Sequence, residues 1–368
     1  MDNLAALSSQ IVWLAFGLGI IFGAVARRVR FCTMGAVADI VLMGDWDRMR
    51  LWLLAIAVAL SGTSLLSYFN VIDISKSIYT APRLLWLSHL VGGALFGFGM
   101  VLASGCGNKT LVRIGGGSLK SLLVFVVIGL SAFMTLKGIL AIPRTKLLDA
   151  MYVTLPSTQD LPALLAHALG PQPMLRLLIA APLSLAILGF TLSSRSFRTP
   201  ANLLAALAIG GVIVAAWYVS GKLGYLAENP NTLEESFLTT NSGKMESFSF
   251  VAPFAYTLNL LMMWTDQSQA ISFGIAASLG VIAGSFIDAL ITRSFRWESF
   301  TSVADTVNHL IGAILMGFGG ITALGCTIGQ GMSGISTLAI GSFITFTAII
   351  LGAVIALKTQ MLRLKLAA

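Results

Sequence analysis

The stretch HLVGGALFGFGMVLASGC, residues 89–106, recurs as HLIGAILMGFGGITALGC at residues 309–326. The two stretches align without a gap at a constant offset of 309 − 89 = 220 residues. The matched positions include His89/His309, Gly92/Gly312, Gly97/Gly317, Phe98/Phe318, Gly99/Gly319, Gly105/Gly325 and Cys106/Cys326. Chance similarity between apolar helices would match leucines and valines, whereas these matches are mostly glycine, histidine and cysteine. We therefore interpret the pair as an internal duplication.

The composition around this repeat is that of an integral membrane protein. Of 368 residues, 57% are hydrophobic and 10% are charged, and the mean hydropathy is +0.89. A soluble globule of this size would need more polar surface. The apolar runs have the length of helices, which favours an all-α, polytopic membrane helical bundle. The formal charge of +8 is interpreted as loop cations that orient the chain, and nucleic-acid binding explains it poorly.

A hydropathy window of about 19 residues predicts nine transmembrane spans. They lie near residues 9–26, 51–69, 86–103, 119–140, 174–193, 201–220, 270–291, 306–324 and 336–357. The apolar stretch 251–265 is shorter and is predicted to be a re-entrant or interfacial helix. The first span has no clear cleavage site after it, so we expect it to be retained. Basic clusters after spans one, five and seven and in the tail predict a periplasmic N-terminus and a cytoplasmic C-terminus.

The same span count makes the two copies inverted. The helix that ends at Cys106 runs from outside to inside, and the helix that ends at Cys326 runs the other way. Inverted repeats with interrupted helices are typical of transporters that bind substrate near the midplane. A weaker echo, LGIIFG from Leu18 and LGVIAG from Leu279, supports the duplication. The predicted organisation is a single integral membrane domain, 1–368, with repeat halves at about 9–140 and 270–357 and a linker with extra helices at about 141–269.

Each repeated helix is followed by a glycine-rich stretch, GNKTLVRIGGG at 107–117 and TIGQGMSGIS at 327–336. We interpret both as re-entrant loops beside short half-helices, since irregular backbone at membrane depth must be buried in protein or line a polar cavity. Free backbone N–H groups at a helix N-terminus attract anions, and glycine allows close approach. The candidate ligand is therefore small and anionic, with Gly105, Gly107 and Gly325 among the residues expected to contact it.

The chain has three cysteines, Cys32, Cys106 and Cys326, and each lies at the end of a hydrophobic span beside a turn. A disulfide would leave one thiol over. Three thiolates suit a soft metal ion, but no C-x-x-C motif or histidine pair accompanies them, so neither a metal nor a cofactor is expected. We interpret the thiols as weak S–H donors that line a path for a sulfur anion.

These motifs resemble those of the YeeE/YedE (TsuA-type) thiosulfate transporter family. The resemblance lies in RFCTMGA, GFGMVLASGCGNKT and GFGGITALGCTIGQGMSG. It implies an hourglass-like bundle in the bacterial inner membrane that imports thiosulfate for cysteine biosynthesis. It also implies that thiosulfate passes between Cys32, Cys106 and Cys326 by S–H hydrogen bonds. A TusA-like small cytoplasmic sulfur-carrier protein is the implied partner.

Four polar side chains follow the repeated cysteines by one to four positions and are candidate donors to sulfonate oxygens: Asn108, Lys109, Thr327 and Gln330. The two repeated histidines, His89 and His309, are expected to make hydrogen bonds to a loop at the start of their helices, and a role in proton coupling is the alternative. Asp39 and Asp288 lie in or beside apolar segments, where acids are functional candidates. For Asp288 the predicted partner is Arg27 or Arg293. Segment 221–250 is polar and is interpreted as a periplasmic cap or a variable loop.

Three alternative functions remain open from the sequence alone. A transporter of a related sulfur or selenium oxyanion keeps every feature above and changes only the donors. A membrane sulfurtransferase that forms a cysteine persulfide would need an exposed thiolate. A passive channel would need a continuously wet pore. The chain has no Cys/His/Asp constellation, so we do not expect an enzyme.

Overall fold

The computed structural model describes residues 2–169, 172–229, 233–266 and 269–367. The α-helices in these ranges are α1 (Asp2–Arg28), α2 (Thr33–Met43), α3 (Asp47–Tyr68), α4 (Trp86–Leu102), α5 (Gly107–Gly115), α6 (Leu119–Lys137), α7 (Ala141–Pro143), α8 (Leu161–Leu169), α9 (Gln172–Leu192), α10 (Pro200–Tyr218), α11 (Val251–Met262), α12 (Phe273–Ile291), α13 (Val303–Thr322) and α14 (Ile340–Ala367). π-Helical turns cover Arg144–Leu148, Val219–Leu223 and Gly329–Gly334. Strands β1 (Arg83–Leu84) and β2 (Val153–Thr154) pair antiparallel, as do β3 (Tyr225–Leu226) and β4 (Ser236–Phe237).

The predicted polytopic helical bundle is confirmed. Within the described residues, eight helical stretches are long and apolar enough to cross a membrane: α1–α2, α3, α4–α5, α6, α9, α10 with its π-helical end, α12 and α14. The remaining predicted span, 306–324, is α13, a helix of 20 residues whose first turns carry Asp305 and His309. The apolar stretch 251–265 forms the 12-residue α11. Its position relative to a membrane surface stays a prediction.

Glycines allow α4 and α13 to cross in backbone contact. A methyl group on Gly92 would lie 2.8 Å from the carbonyl oxygen of Gly319, and one on Gly99 would lie 2.6 Å from that of Gly312. Gly92 corresponds to Gly312 in the repeat, and Gly99 corresponds to Gly319, so the two contacts are equivalent. Because low residue numbers in one helix meet high numbers in the other, the helices run antiparallel. This is the relation expected of inverted copies.

The next helices of the two copies exchange partners. Helix α4 packs parallel to α14, and α13 packs parallel to α6. Contacts that fix these directions are His89–Thr345 at 2.7 Å for α4–α14, and Lys120–Asp305 at 3.6 Å and Ser131–Ile314 at 2.9 Å for α13–α6. Each inverted copy therefore consists of a broken helix and the long helix that follows it. That long helix packs against the broken helix of the other copy.

The weaker echo packs as a parallel pair, as the span count requires of the first and seventh spans. A methyl group on Gly19 would lie 2.9 Å from the Cα atom of Gly280, and Arg27 lies 3.6 Å from Asp288 at the same end of both helices. Since both residue numbers increase together, α1 and α12 run in the same direction through the bundle. LGIIFG and LGVIAG pack closely against each other through their glycines. They are not related by the inversion that relates α4 to α13.

Both broken helices end in the same turn. Ser104 and Leu324 have left-handed backbone conformations, with φ of 53° and 58°. The N–H groups of Gly105 and Gly325 then donate to the carbonyl oxygens five residues earlier, at 2.9 and 2.8 Å. This pattern is a Schellman motif, which satisfies carbonyl groups that the helix end leaves free. The motif therefore ends each helix within a buried part of the bundle while pairing these backbone groups.

The stretches after the cysteines are helical, which corrects their interpretation as loops. Residues 107–115 form α5, and residues 327–336 form a helix that includes the π-helical turn Gly329–Gly334. The interruptions are confined to residues 103–106 and 323–326. Backbone N–H groups in the first turn of an α-helix need no glycine to be free, because they have no partner within the helix. The glycine content therefore reflects close packing more than an open loop.

Segment 221–250 is also more ordered than the predicted cap or variable loop, apart from 230–232, which lie outside the described residues. It contains the π-helical end after α10 and the β3–β4 pair. Met245, Phe248 and Phe250 then lie in the hydrophobic core. The Ser333 hydroxyl donates to the carbonyl oxygen of Phe248 at 2.8 Å. This bond holds the segment around Phe248 against the helix at 327–336.

Replacement of Gly97 by alanine tests the glycine contacts. A methyl group there would collide with the carbonyl oxygen of Ile349 in α14. We expect Gly97→Ala to lower stability by about 1–3 kcal/mol, the usual range for overpacking. The matched control is Gly211→Ala in α10, where a methyl group meets nothing within 4 Å. Thermal denaturation in detergent, followed by size-exclusion chromatography, should show a lower midpoint for the first variant only. Equal midpoints would contradict the close approach of α4 and α14.

Candidate functional site

Each cysteine lies immediately before a helical segment. Cys32 is the N-cap of α2, and its Sγ accepts a hydrogen bond from the N–H of Gly35 at 3.5 Å. Cys106 is the N-cap of α5. Cys326 precedes the helix at 327–336, and its Sγ accepts from the N–H of Gly329 at 3.4 Å. The sulfur atoms are thereby held at helix N-termini, where the helix dipole and free N–H groups favour negative charge.

The three thiols are free and buried, and they connect through the centre of the bundle. The Cys106 side chain neighbours both the Cys32 thiol and the Thr327 hydroxyl. Thr327 directly follows Cys326 in the chain. Cys106 and Cys326 are completely inaccessible, and Cys32 is 4% exposed. Cys106 therefore adjoins Cys32 and, through Thr327, the segment of Cys326, while a path along the three thiols stays a prediction.

Polar atoms without hydrogen-bond partners surround the thiols. Within the described residues, they include Oγ1 of Thr33 beside Cys32, Oδ1 of Asn108, Oγ1 of Thr327 and Oε1 of Gln330. A buried polar atom without a partner costs about 1–3 kcal/mol, so such atoms are rare in a passive core. Those beside the cysteines are available to bind a polar solute in passing.

One cavity, here called the basic cavity, opens beside Cys32 and has a volume of about 570 Å³. Its wall includes six cationic side chains: Arg27, Arg28, Arg30, Arg48, Lys109 and Arg113. Asp288 is the acid in the wall and pairs with Arg27 at 3.6 Å and Arg28 at 3.3 Å. The predicted Arg27–Asp288 pair is thus confirmed, whereas Arg293 is not a partner of Asp288 among the ion pairs of the described residues. The excess of positive charge favours anions in this cavity.

Asp39 has a structural partner at the edge of the same region. Its Oδ2 lies 3.0 Å from Nε of Arg48. The pair links α2 to the start of α3 and so fixes the helix that Cys32 caps. Both candidate acids, Asp39 and Asp288, are therefore compensated by arginine, as buried charges usually are.

A second cavity, here called the opposite cavity, has a volume of about 130 Å³ and reaches the break beside Cys326. Its wall includes Gly325, Tyr79, Ser249 and Glu246. The Tyr79 side chain is close enough to Cys326 and to Glu246 to interact electrostatically with both. Gly274 at the start of α12 lines the opposite cavity, and Asp288 at its end lines the basic cavity. The two cavities therefore lie at opposite ends of α12, with the cysteines between them.

The predicted glycines have different roles. A methyl group on Gly105 would lie 3.0 Å from the Lys109 side chain. One on Gly107 would make ordinary contacts of 3.7 Å with Phe250 and Phe254, so no close approach requires glycine there. Gly325 has a φ of 159° and lines the opposite cavity. Of the three, Gly325 has the clearest relation to a cavity.

Of the four predicted polar donors, Asn108 and Gln330 make hydrogen bonds that hold the backbone. Nδ2 of Asn108 donates to the carbonyl oxygen of Phe31 at 3.3 Å, which holds the chain just before Cys32. Nε2 of Gln330 donates to the carbonyl oxygen of Ala323 at 2.6 Å, within the second break. Within the described residues, Lys109 and Thr327 make no such bond to the backbone, so their side chains are freer to donate to a ligand. Asn108 and Gln330 thus offer their amide oxygens, which are acceptors, to the buried region.

The histidines support helix packing. Nδ1 of His309 lies 2.8 Å from the carbonyl oxygen of Asp305, one turn earlier in α13, which agrees with the predicted bond at the helix start. Nδ1 of His89 lies 2.7 Å from Oγ1 of Thr345 in α14. The His89 partner is therefore in a packed helix, whereas a loop was expected.

Sequence patterns did not reveal several residues of the site. Tyr79 lies between α3 and α4, and Ser249 and Glu246 lie in the stretch interpreted as a cap. Near Cys32, the ring of Phe31 stacks on buried Trp52 with centroids 4.8 Å apart. Apart from Phe31, which lies in RFCTMGA, these residues belong to neither the repeat nor a motif, and only tertiary packing brings them to the cysteines.

The fold and the site together define a helical membrane protein with an inverted repeat, two broken helices, and three buried cysteines between two cavities. The family model described as sulphur transport matches residues 28–355. The chain therefore belongs to the sulphur transport (YeeE/YedE) family, whose motifs its sequence resembles.

Two relatives match along most of this chain. The thiosulfate transporter TsuA of Escherichia coli is 27% identical over 323 residues, which cover 85% of this chain and 84% of that protein. The thiosulfate transporter TsuA of Spirochaeta thermophila is 26% identical over 353 residues, which cover 93% and 97%. The range matched by the family model, residues 28–355, includes both broken helices and all three cysteine segments.

Charged thiol reagents test the basic cavity. In a variant with Cys32 as its single cysteine, an anionic methanethiosulfonate should react about tenfold faster than a cationic reagent of similar size at low salt, because the cavity attracts anions. Added salt should reduce this preference. The matched control is the variant that retains Cys326 alone, where no such preference is expected. Equal rates for both reagents at Cys32 would contradict the electrostatic description of the cavity.

Proposed function

We propose that this protein transports thiosulfate across the bacterial inner membrane, from the opposite cavity to the basic cavity, for use in cysteine biosynthesis. Membership of the sulphur transport family and the thiosulfate transporters among its relatives support the substrate. The observation that carries the proposal is the contiguous row of Cys32, Cys106 and Cys326 between the two cavities.

The chemistry of the row suits a thiosulfate dianion. Unpaired charge in a low-dielectric region is strongly unfavourable, so the ion needs donors in place of its hydration shell. Thiol S–H groups and helical N–H groups supply such donors in steps. Thr327 and Lys109 add hydroxyl and ammonium donors near the same path. Sites that are individually weak allow the ion to leave each one again.

The charge distribution supports import. The basic cavity gathers the cations at the end of α1 and the start of α3, and the positive-inside rule assigns such clusters to the cytoplasm. The N-terminus is then periplasmic, the C-terminus is cytoplasmic, and the opposite cavity faces the periplasm. An anion that passes Cys32 enters a region of positive potential. A TusA-like sulfur carrier is the partner proposed to receive the sulfur on this side.

A related sulfur or selenium oxyanion is the second candidate, since its charge and oxygen donors match the same cavities. A sulfurtransferase has less support. Formation of a cysteine persulfide requires an accessible thiolate, and the three thiols are at most 4% exposed. Transport without covalent chemistry needs only that the ion reach the thiols. We therefore propose that the protein is not an enzyme.

Uptake of radiolabelled thiosulfate into proteoliposomes tests this function. Cys106→Ala removes the central donor, and loss of a buried hydrogen bond to a charged group should reduce uptake by about tenfold or more. The control is Ser61→Ala, which removes the 3.0 Å hydrogen bond to Ser184 between α3 and α9, away from both cavities. Wild-type uptake by Cys106→Ala would contradict a thiol-lined path. Stronger competition by sulfite or selenate than by unlabelled thiosulfate would favour the second candidate.

A further inference from the structure

The opposite cavity contains a carboxyl group in the place where an anion would be admitted. Glu246 lies in its wall, beside Tyr79, Ser249 and Gly325. We infer that Glu246 is a proton-binding residue that controls admission of the anion, so that the ion passes readily only when this carboxyl group is protonated. The inference rests on the proposed function and adds that a proton binds to Glu246 when the anion is admitted.

The carboxyl group of Glu246 is held in position by two hydrogen bonds from Ser242. The N–H of Ser242 donates to its Oε1 at 3.2 Å, and the Ser242 hydroxyl donates to the same oxygen. The backbone of Glu246 is fixed as well, because the Ser220 hydroxyl donates to its carbonyl oxygen. The side chain is half-buried, and these bonds oppose its movement out of the wall into solvent.

The groups around Glu246 do not neutralise it. Arg144 is the one cation among the described lining residues, and it lies 3.2 Å from the carboxylate of Asp149, which compensates its charge. Tyr79 and Tyr256 face Glu246 from the chain before α4 and from α11, and both are ordinarily neutral. Lys244, on the same segment, is exposed and is not part of the wall. No ion pair of Glu246 occurs among the described residues.

Tyr79 connects this carboxyl group to the thiol path. It lies close to both Glu246 and Cys326, and its hydroxyl neighbours Ser249. A methyl group on Gly329 would lie 2.6 Å from Oγ of Ser249 and 3.1 Å from the Tyr79 hydroxyl, so these two hydroxyl groups contact the turn whose N–H binds Cys326. An anion moving from the opposite cavity to Cys326 therefore passes near Glu246.

Like charges in such a confined space repel strongly because little water screens them. An ionised Glu246 would oppose a dianion, and a protonated one would offer an O–H donor. Burial raises the pKa of Glu246, while the two bonds from Ser242 act in the opposite direction. The group is therefore neutral at pH values below its raised pKa and becomes a carboxylate as the pH increases through it. Admission of the anion should accordingly decline with increasing pH on the side of the opposite cavity.

By linkage, an anion bound in the cavity also favours the protonated form of Glu246. Proton and anion binding then support each other, and one proton accompanies the dianion at this stage. Glu246 thus gives a physical route by which the proton concentration on one side of the membrane influences uptake.

Thiosulfate uptake into proteoliposomes, with the pH varied only on the side of the opposite cavity, tests this inference. Between about pH 5.5 and about pH 8, wild-type uptake should decline by about fivefold or more as Glu246 ionises. Glu246→Gln should be independent of pH at the low-pH rate, and Glu246→Asp should keep a pH dependence. Glu234→Gln, at an exposed position between β3 and β4, is the matched control and should follow the wild type.

The outcomes separate the inference from the function on which it rests. The same pH profile in the wild type and in Glu246→Gln would overturn the role of Glu246 while leaving thiosulfate transport intact. No uptake by the wild type at any pH would overturn both. If Glu246→Gln does not fold, a pH profile of Glu246→Asp that is shifted from that of the wild type supports the inference, and an unshifted profile overturns it.

Discussion

The paired Schellman turns at Ser104 and Leu324 are the interaction on which the site depends. Backbone groups inside a bilayer must find partners within the protein, which normally prevents a helix from stopping there. Here a left-handed residue allows the next N–H to bond to the carbonyl five residues earlier, at 2.9 Å in one copy and 2.8 Å in the other. Each helix can therefore end at depth, and a new helix can begin with a cysteine before its first turn.

Two features of the bundle place these turns together. Glycine contacts bring α4 and α13 into backbone contact, so the two interruptions lie on either side of one crossing. Cys32, which has no counterpart in the second copy, caps α2 and completes the row. The electrostatics differ at its two ends, with six cations in the basic cavity and a carboxyl group in the opposite cavity. The symmetry of the backbone thus supports a path that is asymmetric in charge.

Much of the fold was predictable because hydropathy and the repeat both depend on local sequence. The spans and the inversion of the two cysteine helices could be predicted in this way, whereas the sequence left both Arg27 and Arg293 as candidate partners of Asp288. The exact position of the breaks could not be predicted, because the residues with positive φ are a serine and a leucine. The neighbouring glycines would be the expected residues for that conformation. The glycine-rich stretches resemble loops by composition, but close packing of α5 and of the helix at 327–336 against their neighbours determines their helical form.

Other parts of the site depend on contacts between distant segments. Tyr79 and Glu246 belong to connections without a repeat or motif, and they approach Cys326 only in the folded chain. Such residues have no periodic signal that composition or hydropathy could detect.

The central claim is that the anion crosses the bundle between the two breaks, along the three thiols. Long-wavelength anomalous diffraction from crystals grown with thiosulfate would test it most directly, because the sulfur atoms of the ligand and of the cysteines can be located together. The account predicts ligand sulfur peaks in contact with Cys326 or Cys106. Peaks confined to the separate polar cavity beside Lys76 and Arg176, with none at the thiols, would contradict it.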